Sequence, residues 1–208
     1  MRVNINSVDT TPTGNTEFKV GFLSIQPGAR AIVRFLIDSD EDFDVVTLHN
    51  CMTAEGKPVR VDCIRDPRDS VSQCPLCAAG PEVAKLEQRV FLRMLEYVQN
   101  PDGTFTPKAR IWDRSVRSDI ITALKTYLMD YGPLSDIICS ISRTGTGLET
   151  KYTVSPNLPG AEKYPLDASA FNDFDVVGTI VRSWDANQMN EFLQTGEIPA
   201  KPQQAQAA

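Results

Sequence analysis

The 208-residue chain has one histidine, five cysteines and two tryptophans, and acidic side chains outnumber basic ones, 27 to 21. A single histidine leaves little room for acid–base catalysis, and no Gly-Lys-Ser/Thr phosphate loop or Gly-x-Ser-x-Gly elbow stands in for it. "TGTG" sits in a hairpin turn with no helix behind it, so no enzyme is expected. The longest apolar runs, "RAIVRFLID" and "VFLRML", fall well short of the roughly 18 residues that span a bilayer, which argues against a membrane partner. "MRVNINSVDT" has no apolar stretch of the signal-peptide kind, so a cytosolic chain with reduced thiols is expected.

A net charge of -6 argues against a nucleic-acid partner at first sight, but the charge is uneven. Residues 57–143 carry 13 basic and 11 acidic side chains, whereas both flanks are acidic. Whole-molecule charge governs long-range steering, and a local groove can still be positive.

The thiols are concentrated. His49, Cys51, Cys63, Cys74 and Cys77 all fall within 29 residues, and only Cys139 lies elsewhere. In "SQCPLCAAG", Cys74 and Cys77 have the spacing that lets one tight turn aim two sulfurs at one ion, with Pro75 fixing φ. His49 and Cys63 lie at the outer ends of an expected hairpin, "DFDVVTLHN" and "PVRVDCI", turning at Glu55-Gly56. Three cysteines and a histidine make the closed tetrahedral shell of a structural zinc site, with Cys51 as an alternative to His49. Such a cross-link would also order residues 65–73, which have almost no apolar surface. A redox Cys-x-x-Cys is the rival reading; it belongs at the start of a helix in a βαβ unit, and here a hairpin context is expected. Cys139, in an alternating strand, reads as core.

Strand patterns dominate. "KVGFLSIQPGARAIVRFLID" gives two runs around Pro27-Gly28. "QRVFLRMLEYVQ" and "FTPKARIWD" flank the hairpin turn "NPDG", and "SDIICSISRTGTGLETKYTVSP" turns at Gly145 to Gly147. "PEVAKLE" is a short helical candidate, and "DVVGTIV" a strand. Ser115 is placed as the cap of a helix carrying Ile120, Leu124 and Leu128 and stopping at Gly132. "DANQMNEFLQ" is a last short helix. The expectation from these patterns is a mainly β fold, a small β-barrel with one or two helices. It has a loose arm at 1–17, a core at 18–156 with a metal subdomain at about 49–86, an acidic extension at 157–197 and a disordered tail at 198–208.

The order His49, Cys63, Cys74, Cys77, with thirteen, ten and two residues between them, resembles the zinc subdomain of the T-even type bacteriophage single-stranded DNA-binding proteins. These are OB-fold helix-destabilising proteins of phage replication. "QCPLC", "ARIWD" and "ISRTGTGLETKYTV" are similar to family segments in the same order, over roughly residues 30–155. The resemblance implies a structural Zn²⁺ held by His49, Cys63, Cys74 and Cys77. It also implies single-stranded DNA as ligand, a role in replication or recombination, and the cytoplasm of an infected bacterial host. Two family features are missing. Residues 1–20 offer only Arg2 and Lys19 in place of a basic arm. After Glu197 the one charged side chain is Lys201, and the acidic residues that would meet phage replication proteins lie at 162–197.

Strand alternation supports such a ligand independently. In "QRVFLRMLEYV" the core face is Val90, Leu92, Met94 and Val98, leaving Arg89, Phe91, Arg93 and Tyr97 outward. "PKARIWD" presents Lys108, Arg110 and Trp112, and "RAIVRFLI" leaves Arg30 and Arg34 outward. Arg60, Arg143 and Lys151 complete the expected set. Cations interleaved with rings are what a single strand needs: phosphates meet the charges and bases stack on the rings. The competing reading, a zinc-stabilised module that binds protein in a replisome or virion assembly, needs no such face.

Overall fold

The computed structural model describes residues 20–66, 68, 73–156 and 158–200; the expected N-terminal arm and most of the expected tail lie outside these. The alternating patterns of the sequence become eight strands: β1 (Gly21–Phe22), β2 (Arg30–Phe35), β3 (Asp44–Met52), β4 (Pro58–Asp62), β5 (Ala84–Gln99), β6 (Phe105–Ser115), β7 (Cys139–Thr144) and β8 (Lys151–Ser155). The helices are α1 (Pro75–Ala79), α2 (Asp119–Tyr131), α3 (Val176–Thr179) and α4 (Ala186–Thr195), with short 3₁₀ turns between elements. The fold is mainly β with a mixed sheet, in which β1-β6-β5-β2-β7-β8 run side by side. Among the described residues, no helix is long and apolar enough to cross a membrane.

The chain divides into two compact units. One holds residues 20–46 and 88–176. Its spine is the β5–β6 hairpin, paired in register from Arg89 opposite Ser115 to Gln99 opposite Phe105. The turn forms because Asn100 and Asp102 satisfy the amide and hydroxyl groups of Thr104, and because Gly103 takes φ 86°, which a side chain would resist. Val33, Phe35, Val90, Leu92, Met94, Ile141 and Val154 form the core, closed by Ile120, Ile121 and Leu124 of α2.

The other unit holds residues 47–87 and 177–200. Its β3–β4 hairpin carries Cys51, Val59 and Val61 inward against Leu76 of α1 and against Trp184, Met189 and Phe192. The C-terminal helix α4 thus folds with the cysteine-rich segment. Asp185 caps it, accepting from the Gln188 amide at 2.8 Å, while the Gln188 side chain accepts the Asp185 amide.

Several elements differ from expectation. "PEVAKLE", expected to be a short helix, is a turn leading into β5, and its Val83 and Leu86 are exposed. Ser118, not Ser115, caps α2, because Ser115 still pairs with Arg89 at the end of β6. "DVVGTIV" is a kinked turn broken at Gly178 (φ 98°), and Arg182, the residue just after it, forms an isolated bridge with Val61 of β4. β1 pairs with β6 in parallel rather than closing a hairpin on β2.

Candidate metal centre

Each ligand is positioned by a different local device. His49 sits mid-strand in β3, opposite Val61, and is fully buried. Its Nδ1 lies 3.3 Å from the Ala84 carbonyl. A carbonyl only accepts, so Nδ1 carries the proton and Nε2 is left as the donor atom for a cation. Cys63 follows the end of β4, where its amide donates to the Thr47 carbonyl at 2.9 Å. Cys74 precedes α1, with Pro75 at the first helical position, and Cys77 is in the single turn that follows. Residues three apart share a helix face, which brings both sulfurs to one side. The turn is closed by the Gly80 amide on the Cys77 carbonyl, with Gly80 at φ 85°.

The four ligand atoms all lie within 4.8 Å of one another. His49 Nε2 is 3.5 Å from the Cys74 sulfur and 3.6 Å from the Cys77 sulfur, and the Cys63 and Cys77 sulfurs are 3.6 Å apart. A tetrahedral ion with metal–sulfur bonds of about 2.3 Å would set its ligands about 3.5–3.8 Å apart, which these three separations match. Burial, then the neighbouring Cys63 thiol, pushes Cys77 up to about 12. Burial likewise lowers His49 from its ordinary 6.5, against the opposing pull of the Ala84 carbonyl. A bound cation would reverse the preference of the thiols by favouring thiolate.

Cys51 lies outside the cluster of four. It is buried two residues along β3, packs with Val59 and Trp184, and is pushed up to about 11 by burial and the nearby Cys74. Cys139 is fully buried in the other unit's core, as its strand pattern implies. The expected hairpin context of Cys-x-x-Cys is corrected: the pair stands at the start of a short helix, which by itself would suit a redox motif. What distinguishes the site is that both sulfurs also face His49, and Cys77 faces Cys63 as well. The C-terminal segment supplies the roof. Cys74 Sγ donates to Met189 Sδ at 3.7 Å, and Trp184 and Phe192 pack beside it. The signal for this was present in "WDANQMNEFL", where Met189 and Phe192 share one helical face.

The expected strand-binding face is largely corrected. Phe91, Tyr97, Trp112 and Arg34 are all buried. Both faces of β5 are covered, because residues 161–174 lie over the side expected to be open. Tyr164 packs its ring 5.0 Å from Tyr97 and 4.5 Å from Phe105. Arg34 donates to the carbonyls of Ser135 and Tyr164 at 2.5 and 3.0 Å. Val98, placed in the core by alternation, is exposed, since it lies beside the hairpin turn at the tip of β5. Three further arginines are engaged by carboxylates: Arg89 by Asp113, Arg93 by Asp44 and Arg110 by Glu96, at 2.7, 2.7 and 2.8 Å. Arg93 also lies 5.9 Å from the rings of both Phe171 and Phe174. Arg30, Lys108 and Lys151 are exposed, while Arg60 and Arg143 are half-buried. Arg114, which alternation did not single out, lies over the Trp112 ring at 4.1 Å.

A scan against protein-family models and a search of curated proteins each find no match.

Proposed function

We propose that the chain is a non-catalytic single-stranded DNA-binding protein of phage replication or recombination, with an OB-type strand-binding unit and one structural Zn²⁺. The observation that carries this reading is the convergence of His49, Cys63, Cys74 and Cys77. These are the four residues whose order and spacing resemble the phage family. A soft three-sulfur, one-nitrogen set in a reducing cytoplasm suits zinc, and four protein ligands leave no open position for catalysis. The ion's role is to hold the β3–β4 hairpin, α1 and the segment between them in one arrangement, at a typical contribution of about 10–16 kcal/mol for such sites.

Strand contacts fall to the exposed cations of the other unit, Arg30, Lys108 and Lys151, together with the half-buried Arg143. Phosphate contacts of this kind bind without regard to sequence and weaken steeply with salt. With Phe91, Tyr97 and Trp112 enclosed, the reading relies on charge more than on base stacking. A titration with labelled oligo-dT at low salt, repeated after chelation, tests it. Binding that is salt-sensitive and weakened by metal removal is expected; no binding at low salt rejects the reading.

A second reading is a zinc-stabilised module that binds protein. The ion pairs of Arg89, Arg93 and Arg110 favour it, because a paired arginine has less charge to offer a phosphate. Under that reading, co-purification recovers a protein partner and no nucleic acid.

A further inference from the structure

Arg114 and Arg143 converge on one ring. Their guanidinium carbons lie 4.4 and 6.0 Å from the centroid of Tyr152. The register explains the meeting. Arg143 pairs directly across from Tyr152 on β7–β8, and Arg114 lies two residues beyond Trp112 on β6, on the same side of that strand. Trp112 in turn meets Tyr152 edge-on, with centroids 5.4 Å apart. Both arginines therefore project from the core-facing side of their strands, above buried Trp112, Ile141 and Val154.

The donors of this pair are incompletely used. The Nε atoms of Arg114 and Arg143 are both buried with no hydrogen-bond partner. Among the described residues neither guanidinium forms an ion pair, and the Asp113 carboxylate next to Arg114 is held by Arg89 at 2.7 Å. Both do use other donors: Arg143 donates through one terminal nitrogen to the Ile25 carbonyl at 2.7 Å, and Arg114 hydrogen-bonds the Tyr152 side chain. Two like charges around one ring, each with its buried Nε left unpaired, is a costly arrangement that a further acceptor would relieve. Burial pulls Arg114 below the usual guanidinium range, opposed by the Tyr152 side chain and by Asp113. A tetrahedral oxyanion would supply both the missing acceptors and the missing charge. Trp112, only 3% exposed, is too enclosed to stack on a base. The chemistry favoured is thus phosphate recognition without base contact.

We propose that Arg114 and Arg143 form a phosphate subsite around Tyr152 that takes one phosphodiester of a bound single strand. The proposal rests on the strand-binding reading and adds to it a specific pair of residues, both projecting from the core-facing side of their strands. Exposed Lys151, adjacent to Tyr152, would lie on the path of the same strand.

The test is a salt series of oligo-dT binding by the full metal-loaded chain, followed by fluorescence polarisation, for wild type, R114Q, R143Q, R143K and a K85A control. Each Gln variant should lower the slope of log affinity against log salt by about 0.7, the loss of one phosphate contact on a single strand. R143K should recover the slope, and K85A should leave it unchanged. Should R114Q fail to fold because Arg114 packs on Trp112, R143Q and R143K decide. Wild-type slopes in the Gln variants would overturn the subsite while strand binding stood. Absence of binding by the wild type at low salt would overturn the strand-binding reading and the subsite with it.

Discussion

Arg34 Nε donates to the Tyr97 hydroxyl at 2.9 Å, and the same hydroxyl donates to the Pro165 carbonyl at 3.1 Å. Two side chains expected to face a ligand instead bind one another beneath a segment of their own chain. This pair contacts the carbonyls of Ala161, Tyr164 and Pro165, and Tyr164 also packs on Phe105.

Replacing Arg34 with Met should therefore act on stability. It strands the Tyr97 hydroxyl and the carbonyls of Ser135 and Tyr164, so a loss of about 3 kcal/mol is expected in chemical denaturation. Tyr97→Phe, which removes one hydroxyl, should cost about 1 kcal/mol. A neutral outcome for both would show that the segment is not held this way.

The metal set separates cleanly from the remaining thiols. Cys63→Ser, Cys74→Ser and Cys77→Ser should each abolish stoichiometric metal measured by elemental analysis of the purified protein. Cys51→Ala and Cys139→Ala should retain one ion per chain and lose only about 1 kcal/mol of stability through lost packing. Metal loss in Cys51→Ala with retention in His49→Ala would transfer the fourth ligand to Cys51.

Helix α4 should control how readily the ion leaves. Met189→Ala removes the thioether against Cys74, and Asp185→Ala removes a capping box worth about 1 kcal/mol. Both variants should release metal to a chelator faster than wild type, Met189→Ala the more so. Unchanged release rates would mean that the C-terminal segment does not shield the site.

Exposed and paired cations should behave differently toward a strand. Lys108→Ala and Lys151→Ala should each reduce the salt slope of oligo-dT binding by about 0.7. Arg110→Ala, whose charge is shared with Glu96, should change it less and should instead cost up to about 1 kcal/mol of stability. Equal slopes for all three would assign binding elsewhere.

The two legible parts of the chain were those in which local spacing decides the outcome. Cys74-x-x-Cys77 fixes its own geometry within one turn, and Asn100-Pro-Asp-Gly103 fixes the register of β5 on β6, so both could be read without knowing what surrounds them. Alternation along β5 placed Val90, Leu92 and Met94 inward for the same reason. It failed for Phe91 and Tyr97 because a two-residue period says which side chains share a face, not whether distant chain covers that face. The covering residues, Tyr164, Phe171 and Phe174, sit in a segment without periodicity, and their aromatic content was the one local signal of a buried role. The assembly of α4 with the cysteine-rich segment is likewise a long-range event, joining Met189 to Cys74 across 115 positions. "PEVAKLE", expected as a short helix, is instead a turn running into β5, with Val83 and Leu86 exposed.

The claim on which the account stands is that one zinc ion is gripped by three sulfurs and the Nε2 of His49. X-ray absorption at the zinc edge of the purified protein tests it most directly. The account predicts one zinc per chain with three sulfur scatterers at about 2.3 Å and one nitrogen at about 2.0–2.1 Å. A folded protein with no zinc, or with a Cys74–Cys77 disulfide in its place, would contradict it.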